Sequence, residues 1–284
     1  MKAVPLDSPL ASYETKWIAA RPELALALKF VDASERPAQS AFACLRLEIE
    51  HAAFGIREAQ PSATKLQWWA EEFARAGSGE ARHPLTQTLA THRAFASVAL
   101  RDWYAAIGGA LTQRDSEPAA DRRALLEGYQ ALYQPLAQIE ATLFAPLDAA
   151  AIAQVHALAR ALRETALLGD ALRDGRLPLP LDLLARHRLA RGDIACNSPA
   201  QIAAVREWLS VLAADMATPV QSGAQLGPLH AAAVCADRWR AGKASAAVDP
   251  PVALARLLAR LPLQTAWDAW RAGRSSLRSS RADH

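Results

Sequence analysis

Along most of its length the chain places apolar residues three and four apart, the spacing that gives a helix one buried face. The clearest instance runs from Pro37 to Glu58, where Phe42, Leu45, Ile49, Ala52, Ala53 and Ile56 fall on one stripe. A second, Asp121 to Phe144, carries Leu125, Leu126, Tyr129, Leu132, Tyr133, Leu136 and Ile139, and Pro135 is expected to kink it or to lie near a break. A third runs from an N-cap at Asp148 through Ala149 to Asp174, with Ile152, Val155, Leu158, Ala159, Leu162, Ala166 and Leu167 as its stripe. Shorter helices are predicted over Leu10 to Ala20, Pro22 to Val31, Pro61 to Gly77, His83 to about Phe95, Leu100 to Leu111 and Leu181 to Leu189. Ser198-Pro199-Ala200-Gln201 reads as a capped start for a helix to about Val220. Leu229 to Gly242, and Val252 to Arg274 split at Pro262, complete the set. Gly108-Gly109 weakens its helix and lets a neighbour come close.

Neither an internal repeat nor a linker interrupts this pattern, so one domain is expected. Its parts are lead-in helices over 1–36, a helical domain over 37–274 and a basic tail over 275–284. Composition agrees: 51% of the 284 residues are hydrophobic, chiefly Ala and Leu, and only 6% are aromatic. That favours an all-α bundle with almost no strand.

Charge narrows the function classes. The net charge of +3 is spread along the chain except in the tail, where Arg271, Arg274, Arg278 and Arg281 cluster, so nucleic-acid binding is not indicated. The tail is expected to be a disordered solubilising end, with contact to an anionic membrane surface or a partner as the alternative. Cys44, Cys196 and Cys235 are far apart and odd in number, which argues for reduced thiols and a cytoplasmic protein, peripheral at the inner face of a membrane if the tail touches one. No apolar run is long enough for a signal peptide or a membrane span. There is no P-loop, GxGxxG, GxSxG or HExxH, and the seven histidines (His51, His83, His92, His156, His187, His230 and His284) show no metal-ligand spacing and read as surface or packing residues.

Candidate chemistry concentrates in Arg163 to Leu184, RETALLGDALRDGRLPLPLDLL. Asp170 and Asp174 are one helical turn apart and so share a face, close enough to share a hydrated divalent cation. Arg173 and Arg176 lie beside them. Mg²⁺ prefers a few carboxylates plus phosphate oxygens, so an acidic pair flanked by arginines suits a diphosphate. The same pair also reads as solvated carboxylates near a helix end that Gly175 closes. In the early helix Glu48 and Glu50 are two apart and point to different faces, so one inward acid at most is expected there.

The order of these features resembles the squalene/phytoene synthase family over roughly Pro37 to Gly227. The resemblance is carried by the acid-bearing helix around Ala43 to Ala52, then Lys65-Leu66-Gln67-Trp68-Trp69, His83-Pro84, the helix Asp121 to Phe144, Leu172-Arg173-Asp174, and Gly175-Arg176-Leu177-Pro178-Leu179-Pro180. It implies an all-α, single-domain bundle of the isoprenoid (terpenoid) synthase type, in which two facing acidic motifs hold Mg²⁺ and prenyl diphosphates over an apolar cavity. Both motifs are eroded here. Only Glu50 (or Glu48) stands near the first, and Gly175-Arg176 follows the second at once. Losing metal ligands removes transition-state stabilisation from diphosphate ionisation. The favoured reading is therefore a protein without ordinary prenyl transferase activity, resembling the branch of the family that includes complex I assembly factors, which binds a lipid-like ligand or an assembly partner. The alternative is an active Mg²⁺-dependent head-to-head prenyl transferase, with Glu50, Asp170 and Asp174 on the metal and Arg46, Lys65, Arg173 and Arg176 on the diphosphate. Geometry separates the two: an open cleft between Glu50 and the aspartates favours the enzyme, and arginines filling it favour the first reading.

Overall fold

A computed structural model of the chain describes residues 9–19, 21–113, 117–144, 146–195 and 198–282, the side chains of 195 and 275–282 apart. Cys196, His284 and the side chains of Arg278 and Arg281 lie outside the described residues. Among those described, every regular element is helical.

The lead-in consists of α1 (Pro9–Tyr13), a π-helical turn (Glu14–Ile18) and α2 (Pro22–Ala27). It lies against the main bundle rather than apart from it, with Ile18, Leu24, Ala27 and Leu28 buried in the common core. Next come α3 (Arg36–Glu50), a π-helical turn (His51–Gly55), α4 (Ala59–Gly77), α5 (Pro84–Ala90) and α6 (Leu100–Thr112). The long helix α7 (Arg122–Leu143) packs along α6 on one side and along α8 (Ala149–Ala166) on the other. Both starts are capped: Asp121 accepts from Ala124 N at 2.8 Å, and Asp148, the cap expected from the sequence, accepts from Ala151 N at 3.0 Å.

Pro135 does not end α7; the helix runs on to Leu143. Its missing N–H frees the carbonyl of Ala131 four residues back, and Gly109 of α6 sits on that carbonyl. A Cβ added at Gly109 would lie 2.0 Å from Ala131 O. The proline and the glycine thus form one feature, a close crossing of α6 and α7.

The predicted single helix Ala149 to Asp174 is two. Leu167 leaves helical geometry at φ −106°, ψ 27°, and α9 (Leu168–Arg173) starts after it. Half-exposed Leu167 is not held in the stripe by core packing, and Gly169 lowers the local helical preference. Gly175 then stops α9 as expected: at φ 78° it takes the left-handed conformation, with Arg176 N bonded to Ala171 O at 2.8 Å and Gly175 N to Leu172 O at 3.1 Å.

The second half contains α10 (Leu181–Arg186), α11 (Pro199–Asp215), α12 (Thr218–Gln221), α13 (Pro228–Ser245), α14 (Pro250–Leu257) and α15 (Gln264–Ala282). Helix α13 is the hub, touching α2, α8, α11, α14 and α15. It is correspondingly buried on several sides, including the charged Asp237 and Arg240. The backbone of α15 is helical to Ala282, through the start of the basic tail. Packing of α15 on α13 and α2 anchors the helix, and no Pro or Gly after Gly273 breaks it. Among the described residues no helix is long and apolar enough to cross a membrane.

Candidate functional site

The end of α3, its π-helical extension, α8 and the α9 turn enclose a cleft of about 480 Å³. Glu50, Asp170, Asp174 and Arg176 all line it, so four residues chosen from the sequence do meet. Leu167, where the helix breaks, is itself on the cleft wall with Asp170 and Asp174. The remaining lining is the apolar Trp17, Leu47, Phe54 and Leu167 with Gly55, the imidazole of His51, and the charged Arg21, Arg57, Arg160 and Glu164.

Every acid here already has an arginine. Glu50 is bonded to Arg46 one turn back and lies 3.9 Å from Arg21. Burial alone would raise its carboxyl, but Arg46, Arg21 and Arg160 outweigh burial and hold it down at about 2. Glu164 is paired with Arg160 on its own helix and receives Arg176 Nη1 on both oxygens at 2.6 Å. Asp174 accepts from Arg57 Nε at 2.6 Å and lies 3.9 Å from Arg176. Asp170 bonds to Arg173, and that pair is exposed. The Arg160 guanidinium also stacks 3.9 Å over the Phe54 ring, a cation–π contact that fixes its position.

The other chosen residues fall elsewhere. Arg46 sits behind Glu50 as its partner, 7% exposed and not on the cleft wall. Arg173 points to solvent beside Asp170. Lys65 is on the far side of α3, where its Nζ donates to Glu48 at 2.7 Å. Glu48 also accepts from Lys16 Nζ and Trp17 Nε1, each at 2.6 Å. So the expectation of one inward acid on α3 is corrected: Glu48 and Glu50 are 4% and 6% exposed, in two separate clusters. The lead-in segment causes this by laying Lys16 and Trp17 over the face that carries Glu48. Of the tandem tryptophans, Trp69 is core and Trp68 is exposed at 39%. Cys44 is a buried free thiol, pushed up to about 12 chiefly by that burial.

Sequence reasoning missed Arg21, Arg57, Arg160 and Glu164 in the cleft. Only Arg160 and Glu164 carried a local signal, their spacing of one helical turn. It also missed a closed ring of four charges beneath the lead-in. Arg163 reaches Glu23 and Asp237, each at 2.9 Å, and Arg240 reaches the same two acids at 2.8 and 2.6 Å.

Mg²⁺ demands an octahedral set of oxygens from carboxylates, phosphates and water. The lining offers four carboxylates against four guanidinium groups, and each carboxylate is already engaged. A metal ion bound here would sit among four guanidinium groups, whose positive charge opposes it. This donor set does not fit a magnesium–diphosphate cluster.

The bundle as a whole places the fold among known structures. In structure the chain is similar to squalene synthase HpnC from Alicyclobacillus acidocaldarius, with a TM-score of 0.58 over 98% of this chain and 97% of that one, at 15% identity. It is also similar to a dehydrosqualene synthase determined in complex with ligand, with a TM-score of 0.61 over 96% of this chain and 100% of that one, at 11% identity. The chain therefore has the all-α fold of the squalene synthases along nearly its whole length. No family model and no curated protein matches its sequence.

Proposed function

We propose that this chain binds an isoprenoid-like ligand with an anionic head without carrying out Mg²⁺-dependent prenyl transfer. The observation that supports the reading is the arginine set in the cleft. Arg21, Arg57, Arg160 and Arg176 stand among the acids that would otherwise be free for metal, and they are themselves the chemistry that receives a phosphate or carboxylate. A diphosphate entering here exchanges with Asp174 for Arg57 and Arg176, and its apolar chain meets Trp17, Leu47, Phe54 and Leu167. The competing reading, an active head-to-head prenyl transferase, needs the same acids stripped of their arginines.

Calorimetric titration with farnesyl diphosphate, with and without Mg²⁺ and followed by extraction of products, tests this. Binding that is indifferent to Mg²⁺, weakened by salt and accompanied by no hydrocarbon product is expected. Mg²⁺-dependent binding that is lost in Asp174→Ala, with hydrocarbon formed, would establish the enzyme instead. Absence of binding under both conditions would overturn the ligand and leave the role of an assembly partner.

A further inference from the structure

One cluster of ligand-type side chains has no part in the cleft. Glu140 of α7, His156 of α8 and His230 of α13 come from three helices and meet in the core, 8%, 6% and 4% exposed. One donor atom from each lies within 4.8 Å of the other two. Glu140 Oε2 is 3.2 Å from His230 Nε2 and 3.8 Å from His156 Nε2. The two imidazoles meet edge to face, with centroids 5.2 Å apart. Two metal–ligand bonds of about 2.0–2.1 Å at a tetrahedral angle place their donor atoms about 3.3 Å apart. The Glu140–His230 separation of 3.2 Å matches that spacing, and the Glu140–His156 separation of 3.8 Å exceeds it by about half an ångström.

Hydrogen bonding accounts for only part of the arrangement. Glu140 and His230 form an ordinary pair. The Nε2 of His156 has no hydrogen-bond partner among the described residues, although it is buried and sits nearest the same carboxylate oxygen. Leaving such an atom unsatisfied costs about 1–3 kcal/mol, and a packed core disfavours a charged imidazolium as a remedy. A cation between the three groups gives His156 Nε2 the partner it lacks, while the Nδ1 of His230 is likewise buried without a hydrogen-bond partner among the described residues. Arg46, whose charge acts on His156, is tied to Glu50.

We propose that Glu140, His156 and His230 form a buried site for a divalent transition-metal ion of the zinc class, which pins α7, α8 and α13 together beneath the cleft. Two imidazoles and one carboxylate are a donor set that suits zinc-class ions and is poor for Mg²⁺ or Ca²⁺. The site does not depend on what the cleft binds.

The test uses the full chain, expressed in Co²⁺-supplemented medium or refolded with Co²⁺, since a buried site fills most readily as the chain folds. The expected result is one equivalent of Co²⁺ with the visible bands of a low-coordinate ion, displaced by Zn²⁺, and a higher melting temperature than the chelator-treated protein. His156→Leu keeps the Glu140–His230 hydrogen bond, and Glu140→Gln keeps the shape. In each, affinity should fall by at least the ~10–100-fold that even outer-shell changes cost. Wild-type protein that takes up neither Co²⁺ nor Zn²⁺ by either route would overturn the site. So would bands that persist unchanged in both variants, the mark of adventitious binding at exposed histidines.

Discussion

Glu48 shows how much of this protein is decided one side chain at a time. It is a buried carboxylate, and burial by itself would raise its pKa. Hydrogen bonds from Lys16, Lys65 and Trp17 outweigh burial and bring it to about 2, below the ordinary 4.5. Because the folded value is the lower one, the stabilisation is fully present above about pH 4.5 and is lost as pH falls through about 2. Urea denaturation should find Glu48→Gln less stable at neutral pH by roughly 2–3 kcal/mol, discounted for the exposure of Lys16. The gap between the two proteins should close between pH 4.5 and 2; a constant gap would mean that Glu48 acts through packing alone. Nothing within a few residues of Glu48 foretells this, since two of its donors come from the lead-in and one from α4. The acid itself was legible, but its partners were not.

Between elements, two contacts carry testable weight. The ring of Glu23, Arg163, Asp237 and Arg240 ties α2 to α8 and α13, and Arg240 also donates to the carbonyls of Leu257 and Arg260. Removing one member of a buried charge network leaves the others uncompensated, at about 3–5 kcal/mol. Glu23→Gln should therefore lower stability by that order and speed hydrogen exchange across α2 first. Exchange that rises uniformly over the chain would show that α2 is not held separately by the ring. The α6–α7 crossing makes a paired prediction. Gly108 faces open space, so Gly108→Ala should gain up to about 1 kcal/mol of helix propensity. Gly109→Ala gains the same propensity but drives a Cβ into the Ala131 carbonyl, and overpacking of about 1–3 kcal/mol outweighs it. Denaturation midpoints moving in opposite directions would confirm the close approach. The glycine pair was legible as a weak point; which glycine mattered depended on where Pro135 of the facing helix released its carbonyl.

At the scale of the whole molecule, a fold shared with squalene synthases is combined with a cleft whose acids are taken by arginines. Anything that binds only the folded state raises its melting temperature by mass action. Millimolar Mg²⁺ should thus leave the thermal midpoint where an equal ionic strength of Na⁺ leaves it, measured by calorimetry. A shift specific to Mg²⁺ that disappears in Asp174→Ala would show that the cleft recruits the ion after all. By itself the sequence determined the helices, most of their boundaries, the caps at Asp148 and Ser198, the stop at Gly175 and the class of bundle. Each of these rests on interactions reaching no more than about one helical turn along the chain, and the order of helices then restricts how they pack. Only the tertiary structure decided that Leu167 breaks a helix, that Arg57 meets Asp174 from 117 residues away and that His230 meets Glu140 from 90 residues away. Those meetings depend on where helices cross, and no periodicity along the chain records the residue that stands opposite.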